Sequence, residues 1–255
     1  MPVVLLHGHA LDLRVWDDVV PRLVEAGYRA IRYDQRGHGR SGSPSSGYRW
    51  GDHAADLAEV INRLDAAPAH LAGLSKGAGI ALELAVRSPE LVRSLTLVAP
   101  LVPDFKLSEG LMESFRDLAK AIRNQGMQTA LRTLWLSHPL IASAYATTGT
   151  RERLEAMVNT FPAGEYLAAE RDAPDRSWKL TDRLGEIAVP TLVVSGERDI
   201  PDFVAMAALL AERVPGSVLE IVSECGHLVP LEQPQATAGI VLRFLEASGL
   251  GSGGW

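Results

Sequence analysis

Short apolar runs, each followed by an amphipathic stretch, recur along most of this chain. VVLL (3–6) leads into an amphipathic segment over 15–26 that closes at Gly27, and YRAIRY (28–33) follows. The pattern continues with helical spacing over 52–64, the run AHLAGL (69–74), helical spacing over 78–86, and SLTLVA (94–99). Runs this short, bounded by turn residues, read as buried strands, and recurrence at three and four residues reads as helix. Their alternation predicts βαβ units: an α/β fold with a mostly parallel sheet and helices on both faces. Between 103 and 187 the rhythm breaks into a mostly helical pattern, and it resumes with PTLVVSG (190–196), a helix over 203–213, SVLEIV (217–222) and a helix over 234–245. The expected organisation is therefore a core of residues 1–102 and 188–248, a helical insertion of residues 103–187, and a Gly-rich tail, 249–255, that frays.

At 255 residues this is one domain with an insertion, and 47% hydrophobic with 22% charged residues is enough apolar material for a sizeable core. The net charge of −6, without a long basic run, argues against binding to nucleic acid, which needs many Lys and Arg on phosphates. One cysteine, Cys225, excludes an internal disulfide and a Cys-rich zinc site. The N-terminal apolar run is too short for a signal peptide or a membrane span, so a cytoplasmic protein with no membrane partner is expected.

One short segment carries the chemistry. In AHLAGLSKGAGIALELA (69–85) a strand pattern meets a helix pattern at Ser75, with Gly73, Gly77 and Gly79 around it. Small neighbours let a helix pack close behind a strained turn, which exposes the serine at the carboxyl end of a strand as a nucleophile. Among the seven histidines, only His227 follows a strand after an acidic loop and sits beside a glycine, in CGH (225–227). It is the candidate general base for Ser75. The acid to orient it lies in SGERD (195–199), where Asp199 fits best and Glu197 and Asp202 stand close by.

LLHGH (5–9), YDQRGHGRSG (33–42), GLSKG (73–77) and the late pair SGERD and CGH together resemble the α/β-hydrolase family over nearly the whole chain. That resemblance implies a cofactor-free and metal-free serine hydrolase with the chain order nucleophile, acid, histidine, here Ser75, Asp199 and His227. It assigns the oxyanion hole to the backbone N–H groups of His9 and Lys76, and it makes 103–187 a cap over the site. The cap-bearing pattern is similar to enol-lactonases and small carboxylesterases, so the implied reaction is cleavage of a small ester or lactone through an acyl-enzyme. Rivals on the same triad are a carbon–carbon bond hydrolase, a haloperoxidase-like perhydrolase and a lyase; from another class, a slowly turning-over ligand receptor. A haloalkane dehalogenase is disfavoured by serine at position 75.

Two departures from the family stand out. The β-hairpin that usually precedes the first strand is missing: either the sheet has about six strands, with an exposed edge that invites a homo-oligomer, or the numbering starts at an internal methionine. Lys76 puts a cation at a helix start, where the macrodipole disfavours it. As neighbour of Ser75 it faces the wrong way to be its base, and its side chain is expected to be solvated; a rim charge favouring anionic substrates is the lesser alternative. His7 is expected to hold its loop by a hydrogen bond, His38 to serve a Gly-rich turn, and Asp34 and Arg36 to form loop-fixing ion pairs. In the insertion, Trp135, Tyr145, Phe161, Tyr166 and Trp178 are expected to be packing residues, with one or two facing the pocket. His138 and RDAPDR (171–176) are expected in solvated loops, with substrate contact the alternative.

Overall fold

The computed structural model describes residues 1–168 and 177–247. RDAPDR (171–176) and the 249–255 tail lie outside the described residues. Six strands form one sheet: β1 (Pro2–Leu6), β2 (Arg29–Arg32), β3 (Ala69–Leu74), β4 (Val92–Val98), β5 (Thr191–Gly196) and β6 (Val218–Val222). All are parallel, in the order β2-β1-β3-β4-β5-β6. β3 and β5 are buried along their whole length, which is why both read as continuous apolar runs.

Between the strands lie α1 (Val20–Glu25), α2 (Trp50–Arg63) and α3 (Lys76–Arg87). The chain steps from β1 outward to β2 and then back across to β3 and β4. Right-handed crossovers therefore put α1 on one face and α2 with α3 on the other. The contacts agree, since α2 packs on α3 while α1 packs on the C-terminal helix. Residues 15–26, expected as one helix, split into a 3₁₀ turn at Leu13–Trp16 and the short α1. Pro21 is the reason: it has no N–H to give a helix interior and is tolerated only in the first turn, where α1 begins.

Between β4 and β5 the described part of the insertion has helices and no strand: α4 (Glu109–Gln125), α5 (Met127–Ala130) running into a π-turn at Leu131–Trp135, α6 (Pro139–Ala146), α7 (Thr148–Val158) and α8 (Gly164–Leu167). Ser108 caps α4 and is tied to the core by Asp202, whose carboxylate accepts from the Ser108 N–H (2.6 Å) and Oγ (2.9 Å). Two 3₁₀ turns, Leu180–Asp182 and Leu184–Glu186, return the chain to β5. After it come α9 (Pro201–Arg213), β6, α10 (Val229–Glu232) and α11 (Pro234–Ala247).

The strand order reverses between β1 and β3, and in open α/β sheets a ligand crevice opens at the carboxyl ends of the strands at such a point. The loops holding His9 and Ser75 leave β1 and β3 there.

Candidate active site

Ser75 sits at φ 52° and ψ −112°, between the end of β3 and the first residue of α3. A positive φ on a residue with a Cβ is strained, and the neighbours hold it in place. The Ser75 N–H donates to Val98 O at 2.9 Å, and its carbonyl accepts from Leu101 N at 3.1 Å. The small residues around it are sterically required. A Cβ on Gly73 would run into the Gly77 backbone, and one on Gly77 would come within 2.5 Å of Leu6 O. A Cβ on Gly8 would stand 3.4 Å from Ser75 Cβ, so the His-Gly loop after β1 lies directly against the serine.

His227 and Asp199 arrive on the loops after β6 and β5. His227 Nδ1 is 2.8 Å from Asp199 Oδ2, and the Asp199 side chain is fully buried. A carboxylate only accepts, so Nδ1 carries the proton and Nε2 keeps its lone pair for an incoming one. The second carboxylate oxygen of Asp199 accepts from Ile200 N at 2.7 Å. Of the three acidic residues in this region, Asp199 alone bonds His227. Glu197 is exposed and accepts from Glu224 N, and Asp202 is occupied with Ser108. The two loops are laced together by Arg198 N donating to Cys225 O (2.8 Å) and Glu197 N to Val222 O (2.9 Å).

Glu232 completes this corner and was not visible as a site residue in the sequence. Its Oε2 accepts from Gly226 N (2.9 Å) and its Oε1 from Leu228 N (3.0 Å), so one carboxylate grips the residues on both sides of His227. Ser143 Oγ of α6 donates to the same carboxylate at 2.6 Å, which ties the insertion to the histidine loop. Phe203 packs edge-on against the imidazole, with centroids 4.3 Å apart.

Ser75, His227, His9 and Lys76 line one cavity of about 260 Å³, roofed by the insertion. Its apolar wall includes Leu101, Phe115, Leu140, Ile141, Phe203 and Leu228. Of the five expected aromatics, Trp135 and Tyr166 line the cavity. Phe161 packs behind it against His38, Tyr145 Oη donates to Glu155, and Trp178 lies between the guanidinium groups of Arg87 and Arg183. Tyr48, Trp50 and His53 also line it, from the segment that opens α2. Their positions depend on how that loop folds over the sheet, and no local pattern announces it.

The Lys76 side chain is not solvated. It is 7% exposed, and Nζ donates to Glu165 Oε2 of α8 at 2.5 Å. Glu165 Oε1 is 3.0 Å from His9 Nδ1, and Tyr166 Oη is 2.8 Å from His9 Nε2. Burial would raise the Glu165 pKa, but the charge of Lys76 and the contact with His9 hold it well below the usual carboxylate range. The misfit of a cation at a helix start is thus answered from 89 residues away.

Three other histidines hold local structure. His7 Nδ1–H donates to Gly8 O (2.8 Å) and Nε2 accepts from Gln35 N (2.9 Å), so the ring holds its loop as expected, and burial lowers its pKa to about 4. His38 is buried in its turn beside Arg36 O. Arg36 pairs in a fork with Asp56. Asp34 accepts from Leu13 N and Arg40 N at 2.9 Å each and also stands 4.0 Å from Arg40 Nε, so Arg36 and Asp34 each pair within the loops as expected, with Asp56 and Arg40 rather than with each other. His138 is buried rather than solvated: Nδ1 caps α6 by accepting from Leu140 N, and it does not line the cavity. Cys225 is a buried free thiol whose pKa burial pushes up to about 12, which leaves it inert.

A profile of the alpha/beta hydrolase fold matches residues 1–234. The chain belongs to this family. It is 32% identical, over 96% of its own length and 91% of the relative's, to a Synechocystis sp. protein provisionally named a non-heme chloroperoxidase. It is 31% identical to the 2-hydroxy-6-oxononadienedioate/2-hydroxy-6-oxononatrienedioate hydrolase of Escherichia coli, covering 95% and 86% of the two chains. Among solved structures, a thermophilic esterase from Thermogutta terrifontis superposes with a TM-score of 0.80 at 26% identity, covering 97% and 90% of the two chains. No helix of the described residues is long and apolar enough to cross a membrane.

Proposed function

We propose that this hydrolase cleaves a small carboxylic ester or lactone through an acyl-enzyme on Ser75. One observation carries the proposal: the buried 2.8 Å contact between His227 Nδ1 and Asp199, on an imidazole that shares its cavity with Ser75. In the first step Ser75 Oγ attacks the carbonyl carbon while His227 Nε2 takes its proton. The carbonyl oxygen becomes an oxyanion beside the backbone N–H groups of His9 and Lys76; the latter opens α3, where an N–H has no carbonyl one turn back to bond. As the tetrahedral intermediate collapses, the C–O bond to the alcohol breaks and His227 delivers its proton to that oxygen. Water then attacks the acyl carbon, gives a proton to His227, and the carboxylic acid leaves as Ser75 regains its hydrogen. Asp199 keeps the imidazole in the productive tautomer and stabilises its charged form.

The charge of the cavity favours ester or lactone cleavage over the reaction of the E. coli relative, whose name specifies a dicarboxylate. Among the described residues Lys76 is the one lysine or arginine lining the cavity, and Glu165 already occupies it. Two substrate carboxylates would find no free cation there. The test is a panel of neutral short-chain esters, lactones, a vinylogous diketone, and acetate with hydrogen peroxide. The proposal expects ester or lactone turnover that disappears in Ser75→Ala. Faster Ser75-dependent cleavage of the diketone would replace it with carbon–carbon hydrolysis, peracid formation as the fastest reaction with perhydrolysis, and labelling of Ser75 by a fluorophosphonate without turnover of any substrate with a receptor.

A further inference from the structure

Lys76 and Glu165 form an ion pair that faces the proposed reaction centre, and each partner belongs to a different part of the fold. Lys76 follows the nucleophile directly, and Glu165 reaches down from α8 of the insertion. Both line the cavity with Ser75. A buried ammonium without a partner is strongly disfavoured, so an empty place beside Lys76 would draw in an anion. Here the place is filled by a carboxylate that the protein carries itself, held on its other oxygen by His9. A substrate carboxylate would have to displace one tethered at high effective concentration. It would also meet the negative charge of Glu165 inside a site where water screens little.

The rest of the cavity points the same way. Among the described residues it is lined by no further lysine or arginine and by no carboxylate other than Glu165. His53, 2% exposed, has its pKa lowered by burial and by the nearby Lys76 to about 2, so it stays uncharged. Its Nε2 and the Nε1 of Trp135 are buried without a partner. Both residues line the cavity, and neither brings a positive charge to offset the cost of burying a carboxylate.

We infer that Glu165 is a specificity-determining residue: by neutralising Lys76 it makes the cavity one for uncharged esters or lactones and excludes their carboxylate-bearing counterparts. Removing its charge turns Lys76 into a free anchor for an acidic acyl group. This inference rests on the serine-hydrolase proposal, and its test separates the two.

The experiment compares kcat/KM for para-nitrophenyl pentanoate and for the para-nitrophenyl monoester of succinic acid, which are similar in length and differ in charge. The intact enzyme should prefer the pentanoate. In Glu165→Gln the ratio of succinyl to pentanoyl turnover should rise by about 10- to 100-fold, the span expected for a charge-assisted hydrogen bond gained by one substrate. The double variant Lys76→Met with Glu165→Gln should lose that rise, because the anchor is gone. Should Glu165→Gln fail to fold, Lys76→Met alone gives the mirror test: an unpaired Glu165 should raise the ratio of turnover of a trimethylammonium-bearing ester to that of the pentanoate. A succinyl preference in the intact enzyme, or an unchanged ratio in a folded single variant that still cleaves the pentanoate, overturns the inference and leaves the hydrolase proposal standing. Absence of Ser75-dependent cleavage of either ester overturns the hydrolase proposal itself.

Discussion

At the scale of single residues, the chemistry turns on who holds the imidazole of His227. Asp199 accepts its Nδ1–H, and Glu232 fixes the backbone on either side. Asn at 199 can turn its amide N–H toward Nδ1 and strand the proton on Nε2, facing the serine. Asp199→Asn should therefore lower kcat by about 10³- to 10⁴-fold while the fold persists, read by steady-state kinetics beside a circular-dichroism melt. Gln at 232 keeps one acceptor where two backbone N–H donors and a serine hydroxyl now converge. In Glu232→Gln we expect kcat to fall about tenfold with KM held, the mark of a histidine less well placed. A lower melting temperature with kcat intact would make Glu232 a structural brace only. The triad candidates could be read from the sequence because each sits in a short motif after a strand pattern. Glu232 could not, since its bonds run to residues whose approach is set by a loop closing on itself. Glu165 lay further out of reach: helix α8 is four residues long, and nothing local in GEYL says that it meets the residue after the serine.

At the scale of elements, the site exists because strands and helices approach to backbone contact at glycines. Gly77 lets α3 come down on the end of β1, where a Cβ would sit 2.5 Å from Leu6 O. Gly77→Ala should destabilise the fold by about 3 kcal/mol or more, because backbone atoms cannot swing aside as a side chain would; urea denaturation measures it. Gly196 plays the same part between the acid loop and the histidine loop, where an added Cβ would overlap Gly226 O and lie 2.6 Å from Cys225 O. Gly196→Ala should push Asp199 away from His227 and lower kcat about 100-fold even where the protein still folds. The strands themselves were legible to within two residues: the inner strands β1, β3, β4 and β5 are buried almost throughout, and the half-exposed edge strands β2 and β6 still read as short runs between turn residues. The 3₁₀ turn and short α1 were not, because an amphipathic pattern carries through Pro21 although the hydrogen bonding does not. The insertion was legible as helical, but which of its aromatics would face inward was not, because packing among short helices fixes it.

At the scale of the whole molecule, burial of neutral histidines makes stability depend on pH. His7 and His70 have their pKa lowered to about 4 and His53 to about 2, in each case chiefly by desolvation, against about 6.5 in an unfolded chain. Below pH about 6.5 the unfolded chain takes up protons that the folded one refuses until pH about 4, so stability is complete above that window and falls as pH drops through it. Melting temperature should decline steadily from pH 7 to 5, and His70→Gln, which removes one such group remote from the cavity, should flatten the decline. An equal slope in the variant would remove His70 from the account. The kinetic expectations presuppose that Ser75 is the nucleophile. The most direct measurement is to treat the intact protein with a fluorophosphonate, map the adduct by mass spectrometry, and follow para-nitrophenyl ester hydrolysis in the stopped flow. The account predicts one adduct, on Ser75, with a stoichiometric burst of nitrophenol that is absent in Ser75→Ala; folded protein that is unlabelled at Ser75, or an undiminished burst in the variant, would contradict it.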